Sequence, residues 1–305
     1  MEKALIVTPF YKPNIGGGET FAEDLFWALS KKYKVGICTI KWDKQIIWQG
    51  MNLWKAFDLI KKLTPEVISK IRQNNYQKVY ALGLISAFIC WILGVKFSAI
   101  MLALYDFKKP HFLYTRILNA ADKVFVEGNS GYEDMKSLGI NDNKIILFQH
   151  WVDQNKFKYM PRNNEKMKVL FVGRPIKIKG KHIIKECENL TKDIIYEYIE
   201  NVPYDLLASF YQSADVVVVP SLYSEGFSRV VVEAASCGCA LLTSIRGALP
   251  ELVKGFGIVI IPTPQRFALK LTELNNDRKR LFHLQLKSLK YSKEHFSEKN
   301  AEVFL

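Results

Sequence analysis

Three stretches of this chain hold residue types whose spacing can do chemistry. The densest runs from Pro220 to Gly238, where Glu225 and Glu233 stand eight positions apart. A carboxylate accepts two hydrogen bonds from a diol, so a ribose or a sugar ring is its natural partner. Gly226, Phe227 and Ser228 follow Glu225 and lead into a helical run, which puts backbone N–H groups at a helix N-terminus. Glu233 sits among Val231, Val232, Ala234 and Ala235, where an ionised carboxylate needs a pairing group. The other reading of Glu233 is a solvated helix glutamate. The second stretch, Gly173 to Gly180, places Arg174 after an apolar run and Lys179 at the start of a helical one. Two such cations suit a diphosphate, and a solvated basic loop is the alternative. The third is Gly16-Gly17-Gly18, between the apolar run Ala4 to Val7 and helical spacing at Phe21, Leu25 and Leu29. A turn of this kind either presents amides to a phosphate or is a flexible connection. Phe21 occupies the third glycine position of the dinucleotide fingerprint, and no Walker lysine follows.

The elements that must position these residues alternate regularly. Short apolar runs at 4–7, 35–40, 79–82, 97–104, 123–126 and 144–148 read as strands, with helical spacing over 84–93, 110–120 and 131–138. Asn155 to Lys166 is polar and basic with Pro161 inside it, which predicts a linker. The alternation then restarts with strands at 169–172, 194–199, 215–219, 240–243 and 257–261, and the tail from Gln265 reads as helical. Alternating strands and helices imply parallel sheets, with ligands at the carboxyl ends of the strands. The expected division is a first domain over residues 1–160 and a shorter second domain over 161–289, with a helix at 290–305 packing back on the first.

Composition narrows the classes. The 305 residues are 49% hydrophobic and 13% aromatic, enough for a packed core. The net charge of +13 is dispersed, and the interleaved basic and aromatic strand motifs of nucleic-acid modules are missing, so no nucleic acid is expected. Cys38, Cys90, Cys187, Cys237 and Cys239 lack metal-site spacing and read as reduced core residues of a cytoplasmic protein. The run Ala4 to Val7 is too short for a secretory apolar region. Between Val79 and Tyr105 the one charge is Lys96, but Gly83, Ser86 and Gly94 divide this stretch into strand, buried helix and strand rather than a membrane span.

Taken together, the three loops resemble a family 4 retaining glycosyltransferase (glycosyl transferases group 1) of the GT-B fold. The Pro-x-x-Gly-Gly-x-Glu loop is matched by Pro13 to Glu19, and the Gly-Arg-x4-Lys-Gly motif by Gly173 to Gly180. The E-x7-E motif is matched by Glu225 to Glu233, and Gly-x-x-Pro-Glu by Gly247 to Glu251. The resemblance implies an α/β protein of two Rossmann-like domains whose parallel sheets face across a cleft. It implies a transferase that takes a sugar from a nucleoside-diphosphate sugar to a glycan or lipid-linked acceptor, in polysaccharide or glycolipid synthesis, with no metal or other cofactor. Gly16 and Gly17 would let amides approach the diphosphate. Arg174 and Lys179 would neutralise it as it leaves, which is transition-state stabilisation. Glu225, with the amides of Gly226 and Phe227 and with Ser228 beside them, would hold the donor sugar, and Glu233 the ribose. Glu225, Arg174 and Lys179 are the expected catalytic groups.

Two features depart from that pattern. The family commonly has His-Asp at the end of a central strand of the first domain, where this chain has Tyr105-Asp106, the expected acceptor or sugar pocket. A tyrosine lacks the proton chemistry of histidine near pH 7. The stretch from Gly180 to Asp215 is also short of one strand–helix unit. These departures define the competing reading, a catalytically degenerate relative that binds glycans or a partner enzyme. His150 stands where the family has an asparagine-glycine turn, and a structural role is expected for it. Finally, Leu53, Phe57, Ile60 and Leu63 recur at helical spacing within residues 46–63, beside Trp48, Trp54, Lys55, Lys61 and Lys62. This composition fits either a core-packing helix or an amphipathic helix on an anionic membrane surface, which would place the protein peripherally on the inner leaflet.

Overall fold

The computed structural model describes residues 1–12, 16–40, 53–102 and 111–305. They form two units, one of Met1–Phe148 with Ala301–Leu305 and one of Gln149–Asn300.

The first unit carries strands β1 (Lys3–Val7), β2 (Lys34–Cys38), β3 (Lys78–Leu82), β4 (Ser98–Met101), β5 (Val124–Glu127) and β6 (Ile145–Phe148). Its helices are α1 (Gly17–Ser30), α2 (Leu53–Gln73), α3 (Leu84–Ile92), α4 (His111–Asn119) and α5 (Gly128–Ser137). The sheet order is β2-β1-β3-β4-β5-β6, with every pairing parallel. Such sheets are covered on both faces, and the strands accordingly read as continuous apolar runs. β1 is buried from Ala4 to Val7 and β3 from Val79 to Leu82. The segment Val79 to Met101 is strand, helix and strand as expected. Among the described residues no helix is long and apolar enough to cross a membrane. Phe304 returns to this unit, its ring 4.6 Å from that of Phe125 and 5.2 Å from that of Phe148. The Tyr33 hydroxyl donates to the Leu305 carbonyl at 2.9 Å.

The second unit carries β7 (Met167–Val172), β8 (Ile194–Ile199), β9 (Val216–Val219), β10 (Ala240–Ser244) and β11 (Ile258–Ile260). Its helices are α6 (Lys181–Glu188), α7 (Tyr204–Ser213), α8 (Arg229–Ser236), the short α9 (Leu249–Leu252), α10 (Pro264–Asn276) and α11 (Arg278–His295). The sheet is again parallel, in the order β11-β10-β9-β7-β8. Its residues alternate between two apolar layers. Val169, Phe171, Val216, Val218 and Leu242 enter one layer, and Leu170, Val217, Val219 and Leu241 enter the other. The helical tail is two helices, divided where Asp277 caps α11 by accepting from the Arg280 N–H at 2.9 Å.

Three expectations differ from the structure. Residues 155–166 are not a linker. Phe157 is fully buried against Tyr204 and Tyr211. Arg162 donates to the carbonyls of Ala214 and Cys237, and Asn164 to that of Ser213. Arg162 and Asn164 cap carbonyls at the C-terminal ends of α7 and α8, while Asn155, Lys158, Asn163, Glu165 and Lys166 stay exposed, and the units divide at Phe148 and Gln149 rather than after residue 160. The tail differs as well: α11 lies within the second unit, and the return to the first begins at Ala301. In α2 the inner row is Leu59, Leu63 and Val67, while Phe57, expected to share a stripe with Leu63, is 63% exposed. A spacing of four residues keeps that inner row on one side, and Phe57 falls off it.

Candidate active site at the end of the second sheet

Chain order explains why two distant loops meet. From β7 the chain crosses to β8 on one side and then to β9 on the other, so β7 and β9 are neighbours with connections leaving in opposite directions. Such a switch point leaves a crevice at the carboxyl ends of the strands. The register aligns Val169 with Val216 and Phe171 with Val218. The loop after β7, with Arg174 and Lys179, therefore emerges beside the loop after β9, with Ser221 to Ser228.

Backbone contacts hold the two loops together. The Leu222 N–H donates to the Ile178 carbonyl at 2.8 Å. Gly180 has a φ of +77°, and a Cβ there would overlap the Pro220 carbonyl. Only glycine combines that conformation with that approach. Gly247, at φ +60°, does the same on the far side, since a Cβ there would overlap the Glu225 backbone. The Ala248 N–H then donates to the Glu225 carbonyl at 2.9 Å.

In this frame Lys179 Nζ lies 2.5 Å from Glu225 Oε1 and 3.0 Å from the Tyr223 hydroxyl. Ser221 also donates to Glu225 Oε1, and Tyr223 stands 3.3 Å from Oε2. The lysine side chain is 19% exposed and the glutamate 9%. Burial alone would lower the Lys179 pKa, but the charge of Glu225 and the hydrogen bonds that Lys179 donates to Glu225 and Tyr223 outweigh it and hold the pKa above its ordinary value. The ammonium is thus a permanent cation, with an exposed side from which an anion can reach it. Arg174 is half-buried just beyond β7, its carbonyl accepting from the Ile176 N–H at 2.7 Å.

Glu233 is placed differently. It lies inside α8, 3% exposed. Its Oε2 accepts from the Tyr211 hydroxyl at 2.9 Å and its Oε1 from Arg229 Nε at 3.3 Å. Arg229 in turn donates to the Tyr204 hydroxyl at 2.8 Å. Burial, followed by the charge of Glu233, raises the Tyr211 pKa well above its ordinary value, so Tyr211 stays a neutral donor. The pairing group that the sequence required for Glu233 is therefore internal to the unit.

Between the two glutamates, Gly226 and Phe227 are half-buried and Ser228 is buried. The Ser228 carbonyl accepts from the N–H groups of Val231 and Val232 at the start of α8. The Phe227 ring stacks on His150 at 4.7 Å and meets Phe296 edge-on at 6.1 Å. His150, 2% exposed, supports this loop from within the unit.

In the first unit, Gly16 precedes α1 and its carbonyl accepts from the Thr20 N–H and hydroxyl at 3.0 and 2.9 Å. A Cβ on Gly16 would run into the Glu19 carboxylate, which faces the α1 N-terminus and complements its dipole. Gly17 is the first residue of α1. Tyr105 and Asp106, Pro13 to Ile15 and residues 46–52 lie outside the described residues. Among the described residues no cluster of three or more His, Cys, Asp or Glu side chains is placed to hold a metal. All five cysteines are buried and unbridged.

Sequence reasoning did not single out Ser221, Tyr223, Arg229, Tyr211 or Gly247 as individual site residues. Arg229 was legible as the i−4 neighbour of Glu233 on one helix. Tyr211, from another helix, carried no local signal.

The comparisons with known proteins bear on this arrangement directly. Residues 154–293 match the family model described as Glycosyl transferases group 1. This stretch is a group 1 glycosyltransferase domain. It spans most of the second unit and contains the Lys179–Glu225 pair. Among curated relatives, D-inositol 3-phosphate glycosyltransferase 2 of Catenulispora acidiphila is 32% identical over 96 residues, covering 30% of this chain and 22% of the relative. Lipopolysaccharide 1,2-N-acetylglucosaminetransferase of Salmonella typhimurium is 32% identical over 127 residues, covering 37% of this chain and 33% of the relative. The chain thus matches no more than about a third of the length of these two proteins. Among solved structures, sucrose-phosphate synthase from Thermosynechococcus elongatus superimposes with a TM-score of 0.81 at 15% identity, covering 100% of this chain and 97% of that one. Anabaena HepE, solved in complex with UDP-glucose, gives 0.76 at 15% identity, covering 100% and 99%. The fold is GT-B, with two Rossmann-like units, as the motifs implied.

Proposed function

We propose that the protein is a retaining glycosyltransferase that moves a sugar from a nucleoside-diphosphate sugar to a glycan or lipid-linked acceptor. The observation that carries this reading is the Lys179–Glu225 pair at the switch point of the second sheet, inside a group 1 glycosyltransferase domain. The donor diphosphate docks on Lys179 and Arg174. Glu225 and the amides of Gly226 and Phe227 hold the sugar, and Glu233 contributes to the ribose side through the helix it stabilises. The bond from the sugar C1 to the diphosphate oxygen breaks, and its electron pair leaves with the nucleoside diphosphate. The two cations offset the growing negative charge. An acceptor hydroxyl attacks C1 from the same face and gives its proton to the departing phosphate oxygen. This chemistry needs no enzymic nucleophile and no metal. UDP-glucose, the ligand of HepE, is the first donor to try. The test is a panel of UDP-, ADP- and GDP-sugars incubated with the protein and candidate glycan acceptors, with products read by mass spectrometry. A sugar-extended acceptor in wild type, lost in Lys179→Ala, is expected; no turnover of any donor, by transfer or hydrolysis, overturns the reading.

We also propose that the protein works in the cytoplasm, at the inner leaflet of an anionic membrane. Helix α2 supports this: with Leu59, Leu63 and Val67 turned inward, it leaves Trp54 83% and Phe57 63% exposed beside Lys61 and Lys62. Aromatic and basic side chains on one outer face suit a lipid interface. Co-sedimentation with anionic vesicles at low salt is expected to exceed that with neutral vesicles, and Trp54→Ser with Phe57→Ser to abolish the excess. Equal binding to both vesicle types removes this part of the proposal.

A further inference from the structure

The Lys179–Glu225 pair has a third member that the motif comparison leaves unassigned. The Tyr223 hydroxyl accepts from Lys179 Nζ at 3.0 Å and faces Glu225 Oε2 at 3.3 Å as a donor. One hydroxyl can do both, having one O–H and two lone pairs. The Tyr223 ring lies alongside the same ammonium, with Nζ 5.0 Å from its centre. The loop that carries Tyr223 is held to the lysine's own loop through Leu222 and Ile178. Its far end is held by Gly247 and Ala248 against Glu225.

An ammonium and a carboxylate 2.5 Å apart neutralise each other, and a cation turned wholly toward Glu225 would offer little to a phosphate. An ammonium has three N–H bonds. With one directed at Glu225 and one at Tyr223, the third is left to the exposed side. On the donor-site reading above, we infer that Tyr223 is a positioning residue. Its hydroxyl bridges Lys179 and Glu225 and holds the ammonium so that a phosphate oxygen of a nucleoside diphosphate can take the third N–H. Ser221 performs the matching task for the carboxylate alone, through Oε1.

The test is calorimetric titration of the full chain with UDP, ADP and GDP, using the tightest of the three for wild type, Tyr223→Phe, Lys179→Met and the double variant. Tyr223→Phe keeps the ring and removes only the bridge. It is expected to weaken nucleotide binding about tenfold, the usual scale for a lost hydrogen bond to a charged group. Lys179→Met is expected to weaken it about a hundredfold, and the double variant no further than about twofold beyond that, because Tyr223 acts through the lysine. A merely structural loss would instead multiply in the double variant. The inference is overturned if Tyr223→Phe binds like wild type, or if the two losses multiply. If wild type binds none of the three nucleotides, the donor-site reading itself fails and takes this inference with it. Binding by wild type with an indifferent Tyr223→Phe removes the inference alone.

Discussion

The loop after β9 and the helix that follows it each carry a glutamate, and the two are used in opposite ways. Glu225 draws its partners from two separate segments: Ser221 and Tyr223 from its own loop, and Lys179 from the loop after β7. The lysine keeps 19% exposure, so this pair can exchange or share its partner with an arriving anion. Glu233 is enclosed with Arg229, the two side chains 4% and 9% exposed, and Tyr211 completes the enclosure. The motif spacing treats the glutamates as equals. The structure shows one open pair at a strand end and one closed pair within the core.

Substitutions can break or sharpen that contrast. The largest expected effect is on stability. Arg229→Met leaves Glu233 buried without its cation and should cost about 3–5 kcal/mol, read as a lower urea midpoint. Glu225→Gln, whose cationic partner Lys179 keeps 19% exposure, should cost clearly less, and equal losses would show that the two pairs are not different in kind. Next comes Lys179→Ala, expected to lower sugar transfer about 10²-fold, roughly 2.7 kcal/mol of transition-state stabilisation. Its urea midpoint should fall less than that of Arg229→Met. Gly247→Ala should follow, at about 2 kcal/mol, because a left-handed backbone and an overlap with the Glu225 backbone act together. That variant tests whether the open pair depends on its frame, and a native transfer rate would show that it does not.

The smallest effect is expected from pH over the working range. The Lys179 pKa is raised in the folded state, so its stabilisation is complete below the unfolded value of 10.5 and is lost only as pH rises through the folded value. Burial pushes the thiols of Cys38 and Cys90 up to about 12 from 9.0, which adds a loss of the same sign between those values. The urea midpoint should therefore stay flat from pH 7 to 9 and decline from 9 to 12. A midpoint that rises between pH 8 and 10 would instead mean that burial outweighs the Glu225 charge at Lys179, whose folded pKa would then lie below 10.5.

Much of the fold was legible because parallel strands buried on both faces must be apolar throughout, as in Val216–Val219 and Ala4–Val7. The break in periodicity at each strand end located the loops that carry Gly16, Arg174 and Glu225. Residues 155–166 misled because Arg162 and Asn164 are polar for carbonyls of the same unit, which composition cannot separate from polarity for water. Phe57 misled because α2 has two apolar sides, and periodicity alone does not say which one meets the core.

By itself the sequence determined the residue types at the strand ends: a lysine before one glycine, a glutamate before another, and a second glutamate one helix turn or two beyond. It also determined that Glu233 needed a partner, since a carboxylate among valines and alanines is unstable alone. Only the tertiary structure decided which groups meet. β7 and β9 are adjacent although β8 lies between them in the chain, and that crossing brings Lys179 to Glu225 across 46 positions of sequence. The same crossing places Tyr223 against both. Spacing records distance along the chain, whereas an ion pair requires distance in space, and the order of strands in the sheet converts one into the other.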